Sequence, residues 1–236
     1  MFRKYVAVLT ILMFEYTTAL VIHKPPIIHT NHPYLNIKEN SRAGTEFVII
    51  DASSQTNDTV TITTHDNATA ARVFLFPTRL GINSTYRVAL KKIPDREDER
   101  TWYLTFKAHD NHGDTLWTLP LHIDDENDNS PLFGHDHYHS VVGYGLAVGS
   151  KILHVTAMDA DEGPNAVISY SMSPYHVSSP SPRYNAFKID PNTGVITLKE
   201  ELQHGHTTYH YQVNATDNGV PKQSSSTLVN IEIFDF

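Results

Sequence analysis

The chain contains no cysteine. A disulfide framework, a zinc–thiolate site and a thiol nucleophile are therefore all excluded. There is no G-x-S-x-G elbow, H-E-x-x-H pair or phosphate-cradling glycine loop. The carboxylates Asp159 and Asp161 imitate an acid–base pair, but their two-residue spacing on a turn suits shared cation ligation better. An enzyme is not expected. Basic residues are in the minority: 18 Lys and Arg face 26 Asp and Glu, a formal net charge of −8. That balance disfavours nucleic acid and anionic membrane as partners and suits cations. Beyond the N-terminal residues, no apolar run approaches the ~20 residues of a spanning helix, so no membrane span is expected in this chain.

With 236 residues the chain has room for two domains of about 100 residues each. Its start, Met1-Phe2-Arg3-Lys4, is basic, and Tyr5 to Phe14 is apolar but too short to cross a bilayer. Thr17-Thr18-Ala19 comes next, with small residues. This is the pattern of a signal peptide, assigned to residues 1–22, and it implies secretion or the outer face of the plasma membrane. N-x-[ST] sequons at Asn57, Asn67, Asn83 and Asn214 agree with an extracellular glycoprotein.

Strand signals dominate the rest of the chain. His23 to Pro33 reads as an irregular lead-in. Phe47 to Ile50, Thr59 to Thr63, Tyr86 to Leu90 and Trp102 to Phe106 are short, rich in β-branched and aromatic residues, and separated by turn residues. No window sustains a helical period. The second half repeats the plan: Lys151 to Val155 matches Phe47 to Ile50, and Tyr209 to Asp217 matches Trp102 to Asp110. Period-2 alternation assigns Tyr209, Tyr211, Val213 and Ala215 to the core and turns Asn214 to solvent. Strands at this spacing indicate an all-β chain of sandwiches.

Between the two halves lies Asp125-Glu126-Asn127-Asp128-Asn129-Ser130-Pro131. Hard oxygens at that density suit Ca²⁺. Asp125, Asn127, Asn129 and Asp136 also fall at EF-hand positions, but Ser130 replaces the turn glycine, Pro131 intrudes, and no flanking helices are expected. His135, His137 and His139 alternate, with His204, His206 and His210 in a looser group; surface imidazoles of this kind usually bind nothing, although Zn²⁺ is chemically open to them.

Several motifs in order resemble tandem extracellular repeats of the cadherin family. The central run looks like the D-x-N-D-N-x-P linker, and Asp159-Ala160-Asp161-Glu162-Gly163-Pro164-Asn165-Ala166 like the D-x-D…N-A segment. Asp95-Arg96-Glu97 is similar to the D-R-E motif, and Glu39 stands five residues before the turn glycine Gly44. Ala215 to Pro221 matches A-x-D-x-G-x-P, and Phe187-Lys188-Ile189-Asp190 with Thr193-Gly194-Val195-Ile196 matches F-x-I-D…T-G-x-I. The resemblance implies two Greek-key, Ig-like β-sandwiches, residues 23–124 and 132–236, joined end to end by a calcium-binding linker at 125–131. It implies a ligand set of Glu39, Asp95 and Glu97 from the first repeat, Asp125, Glu126, Asn127, Asp128 and Asn129 from the linker, and Asp159, Asp161, Asn165 and Asp217 from the second. Asn165 and Glu126 are candidates to contribute backbone carbonyls. About three Ca²⁺ ions would fill such a joint.

Departures from the pattern are informative. Asp51-Ala52-Ser53-Ser54 stands where a D-x-D pair belongs, and Asp110 has no companions, as expected of an N-terminal repeat. In the second repeat Tyr144 replaces the glutamate and Gln203-His204-Gly205 replaces D-R-E, while the sequence stops at Asp235-Phe236 where another linker would begin. One complete calcium joint is expected. Trp102 and Trp117 both lie late in the first repeat, where a core role is expected, so adhesion by a strand anchored through an early tryptophan is not supported. The resemblance implies calcium-dependent adhesion or recognition, with other cadherin ectodomains as homophilic or heterophilic partners. A soluble calcium-binding ligand or decoy, or a piece of a longer transmembrane cadherin, are the alternatives.

Overall fold

The computed structural model describes residues 26–30, 35–175, 185–202 and 208–234. The expected signal segment, Gln203-His204-Gly205, His204, His206 and the terminal Asp235-Phe236 lie outside these residues.

The first half contains β1 (Ile27–Thr30), β2 (Leu35–Lys38), β3 (Glu46–Ser53), β4 (Thr61–Thr64), α1 (Asn67–Arg72), β5 (Val73–Arg79), β6 (Asn83–Leu90), β7 (Thr101–Asp110) and β8 (Gly113–Asp124). They form two sheets, ordered β1-β3-β6-β5 and β2-β8-β7-β4, so the chain moves repeatedly between layers in Greek-key fashion. β2 runs parallel to β8; the other pairs are antiparallel. Strand alternation makes the core. Along β7, Trp102, Leu104, Phe106, Ala108 and Asp110 are buried, whereas Tyr103 is 63% exposed. Trp117, opposite Phe106, stacks on it with ring centroids 6.0 Å apart, so both tryptophans serve the core.

Two local expectations need correction. Part of the Pro/His-rich lead-in is strand β1, which pairs with β3 from Ile27↔Ser53 to Thr30↔Ile50. The edge of a sheet supplied a partner that local composition did not announce. A helix also occurs: α1 is six residues long, too short for a periodic signal. Its N-cap is Asp66, whose Oδ1 accepts the Thr69 N–H at 2.7 Å, and the buried Thr69 hydroxyl oxygen accepts the Thr105 N–H at 2.9 Å.

The second half contains β9 (Leu132–Phe133), β10 (His137–Gly143), β11 (Lys151–His154), β12 (Ala157–Met158), a 3₁₀ turn (Gly163–Ala166), β13 (Ser169–Pro174), β14 (Phe187–Ile189), β15 (Val195–Leu198), β16 (Thr208–Thr216) and β17 (Ser224–Phe234). One sheet is ordered β10-β17-β16-β13, facing β11-β15-β14, with β9 paired to β12. Tyr209, Tyr211, Val213 and Ala215 all point inward, as the alternation predicts. Phe187 meets both tyrosine rings edge-on, 5.1 and 6.1 Å between centroids. Gly194 turns at φ +69° directly over the Val155 carbonyl, with no room for a Cβ.

Each half has its own hydrophobic cluster, and the two clusters share no residue. β8 ends at Asp124 and β9 begins at Leu132. The acidic run thus lies between two separately cored sandwiches.

Candidate metal centre

Turns at the facing ends of both sandwiches converge on the acidic run. Glu39, just past β2, is buried and links two of these segments. Its Oε1 accepts the Glu126 N–H at 2.6 Å and its Oε2 accepts the Arg96 N–H at 3.0 Å. Asp95 and Glu97 sit on the β6–β7 turn, and one carboxylate oxygen from each lies within 4.8 Å of one on Glu39. A second triad spans the whole joint: oxygens of Glu97, Asp125 and Asp161 also lie within 4.8 Å of one another. First repeat, linker and second repeat each contribute one carboxylate to it.

The linker is threaded into the second repeat by amides. Asp125 Oδ2 accepts the Glu162 N–H at 3.1 Å and the Asn165 side-chain amide at 2.8 Å. Asn127 donates from Nδ2 to Asp217 Oδ2 at 3.2 Å and to the Pro221 carbonyl at 2.5 Å. Asp217 is wholly buried and also accepts the N–H groups of Gly219 and Gln223, at 2.9 and 2.8 Å. Asn129 donates to Asp161 from its N–H and from Nδ2, at 3.3 and 2.7 Å. Asp159 Oδ1 accepts the Asp161 N–H at 3.1 Å. Asp128 accepts from Asn40 at 2.6 Å, which ties the linker to the first repeat, and from Asn129 at 2.9 Å within the linker. Glu126 differs from the rest: its carboxylate faces Lys38 at 3.1 Å, so only its backbone belongs to the cluster.

The donor set fits a hard cation. Asn127 Oδ1 and Asp159 Oδ2 are buried acceptors without a hydrogen-bond donor, and Asp125 Oδ1 meets only the Arg96 guanidinium, at 3.2 Å. Buried oxygens left without donors are costly unless a cation satisfies them. Carboxylate and amide oxygens of this number suit Ca²⁺. Proton affinities point the same way. Burial, then the charges of Glu39 and Asp128, push Glu97 up to about 7. Burial also raises Asp159, with Asp217 and Asp125 adding to it, and Asp161, with Asp159 and Asp125.

Arg96 and Glu162 carry more than their motif positions suggest. Arg96 is 3% exposed, and its guanidinium touches Asp125, Glu97 and, across the joint, Glu162. The D-R-E motif marks Arg96, but its cross-joint partner has no local signature. At the other end of the first repeat, Asp110 is buried and satisfied by the Ser54 hydroxyl at 3.1 Å and the His112 N–H at 2.8 Å; Asp51 accepts from Thr85 at 2.7 Å. Tyr144 packs against the second core. Histidine belongs to neither carboxylate triad among the described residues: His139 faces Glu232 at 3.2 Å, and His210 bonds Asn230 at 2.7 Å. Asn57, Asn67 and Asn83 are exposed, and Asn214 is half-buried on the outward face of β16. No helix among the described residues is long and apolar enough to cross a membrane.

Two Greek-key sandwiches joined at an acidic, oxygen-lined seam define a class of tandem-repeat β-sandwich proteins. Residues 138–234 match the family model described as Cadherin domain. Protein dachsous of Drosophila melanogaster is 32% identical over 241 residues, covering 93% of this chain and 6% of that protein. Protocadherin Fat 4 of Mus musculus is 40% identical over 114 residues, covering 48% of this chain and 2% of that protein. This chain therefore spans only a few per cent of the length of those relatives. Among solved structures, mouse Cadherin-23 EC22-24 superposes with a TM-score of 0.70 at 28% identity, over 89% of this chain and 67% of that one. Human Protocadherin-24 EC1-2 has the same fold, with a TM-score of 0.68 at 22% identity, over 91% of this chain and 100% of that one. The chain belongs to the cadherin family, as two tandem extracellular repeats.

Proposed function

We propose that this chain acts in calcium-dependent adhesion or recognition outside the cell, with Ca²⁺ setting the rigidity of the joint at 125–131. The repeats, 23–124 and 132–236, are then presented to other cadherin ectodomains at a fixed angle. The observation that carries the reading is the triad Glu97, Asp125 and Asp161, drawn from first repeat, linker and second repeat and held within 4.8 Å. Like charges at that spacing repel strongly. Bound Ca²⁺ would supply the positive charge that offsets this repulsion and bridges the segments.

Each residue has its own task. Glu39 holds the linker against the Asp95–Glu97 turn through two backbone amides. Asn127 and Asn129 fix the linker to Asp217 and Asp161. Asp125 and Asp159 present oxygens that lack hydrogen-bond donors. Interfaces between domains of one chain are weak by default, so such a bridge would decide whether the pair behaves as a rod or a hinge. Residues 1–22 would direct export, and Asn57, Asn67, Asn83 and Asn214 would be glycan acceptors.

Limited proteolysis tests the joint, and bead aggregation tests the adhesion. Cleavage within 125–131 should be fast in EGTA and slow in millimolar calcium. Equal rates would sink the calcium reading. Coated beads that fail to aggregate with calcium, while proteolysis remains calcium-dependent, would leave a calcium-binding module without homophilic adhesion.

A further inference from the structure

The joint contains a cation of its own. Arg96 belongs to the first repeat, and its backbone N–H is fixed by Glu39 at 3.0 Å. Its side chain is 3% exposed, so the guanidinium needs charged partners where it lies. It has three. Nη1 lies 3.2 Å from Asp125 Oδ1 in the linker and 3.5 Å from Glu97 Oε1, while Nη2 contacts Glu162 Oε2 in the second repeat. A planar guanidinium can serve two directions at once, which an ammonium does less well. Glu162 is also held at its backbone, where its N–H donates to Asp125 at 3.1 Å. Arg100 approaches the other Glu162 oxygen at 3.6 Å. The hydrogen bond and charge of Arg96 hold the Glu162 carboxyl below its ordinary value, so it is ionised at neutral pH.

We propose that Arg96 and Glu162, with Arg100 as a more distant second cation, form an electrostatic clasp that ties the two repeats together independently of any divalent cation. The clasp crosses the joint beside the carboxylate triads and uses a pair of groups that lies outside them. It leaves the joint ordered enough for the ligand oxygens to stay near one another when calcium is scarce. Because Glu162 is 55% exposed, the pair is open to screening, and its strength falls with salt.

The absence of cysteine makes the test direct, since two introduced thiols are the only labelling sites. Spin labels at Leu116→Cys on β8 and Val141→Cys on β10, both exposed, report the distance between repeats in the full chain. In EGTA at low salt the wild-type distance distribution should be broader than with calcium but narrower than that of Glu162→Gln. Raising salt shrinks the screening length from about 10 Å at 0.1 M to about 3 Å at 1 M, and should broaden the wild type while leaving Glu162→Gln unchanged. Equal widths for the two proteins in EGTA, with circular dichroism confirming that both are folded, would overturn the clasp. Calcium is a separate arm: if it narrows neither protein, the metal-joint reading fails while the clasp stands or falls on the EGTA result.

Discussion

The backbone of Gly219 lies directly against the side-chain amide of Asn127. A Cβ at Gly219 would collide with Asn127 Cγ and Nδ2 and come within 2.6 Å of Asn165 Oδ1. Asn127 is pinned there by Asp217 and Pro221, so it has no free direction in which to retreat.

Gly219→Ala should therefore push the linker off the second repeat. Overpacking of this kind costs about 1–3 kcal/mol, and here it falls on linker docking rather than on either core. Calorimetric titration should find calcium binding weakened by roughly tenfold or more, each 1.4 kcal/mol being about a factor of ten. Unchanged affinity would mean that Asn127 is not held as described.

Asp161→Asn removes one charge from the triad that spans the joint while keeping the side-chain shape. A ligand present at 100 times its dissociation constant stabilises by about 2.7 kcal/mol. The variant should lose most of the rise in melting temperature that calcium gives the wild type, and should melt in EGTA at or slightly above the wild-type temperature, because burial and like charges disfavour the ionised Asp161. A full calcium response in the variant would remove Asp161 from the site.

Without calcium, the joint should weaken as pH rises. Glu97 is raised from 4.5 to about 7, and Asp159 and Asp161 are raised as well. A raised carboxyl binds more protons in the folded state than in the unfolded state between those two values. Its contribution is therefore present below pH 4.5 and lost as pH climbs through 7. With saturating calcium the ionised forms are the ligands, and stability should rise over the same window. Melting curves at pH 4.5 to 7.5, in EGTA and in calcium, should slope in opposite directions.

Trp102→Ala tests whether the repeats are separately cored. Trp102 is 1% exposed in the first cluster, which shares no residue with the second. Truncating a buried tryptophan costs about 3–5 kcal/mol. In EGTA, scanning calorimetry should find the first-repeat transition lowered and the second unmoved. A matching drop in both would show that the sandwiches unfold as one unit.

Much of the architecture was legible from residues alone because its signals are local. Alternation along Trp102 to Asp110 and Tyr209 to Thr216 reports which face is buried, since side chains on a strand point in opposite directions at each step. The acidic run was legible because the unbroken series of carboxylates and amides from Asp125 to Asn129 cannot belong to a core. β1 was not, because a Pro/His-rich segment becomes a strand only when the edge of β3 is there to pair with it. α1 was not, because six residues set by one cap carry no period. Glu126 was expected to offer its backbone rather than its side chain, but that its carboxylate turns to Lys38, 88 residues away in sequence, is visible only in the folded chain.

Strand alternation and spacing along this chain determined the fold class, and the order of acids and amides marked the acidic run and the residues proposed to line it. Those are properties of composition and spacing, and they survive in an unfolded chain. Which oxygens face one another, which are left without a donor, and that Arg96 reaches Glu162, were decided only by tertiary structure. Contacts that make the joint link residues far apart in sequence, 32 positions for Asn129 with Asp161, 87 for Glu39 with Glu126 and 94 for Asn127 with Pro221. Electrostatic interaction depends on distance in space, and folding alone brings such distant positions within a few ångströms.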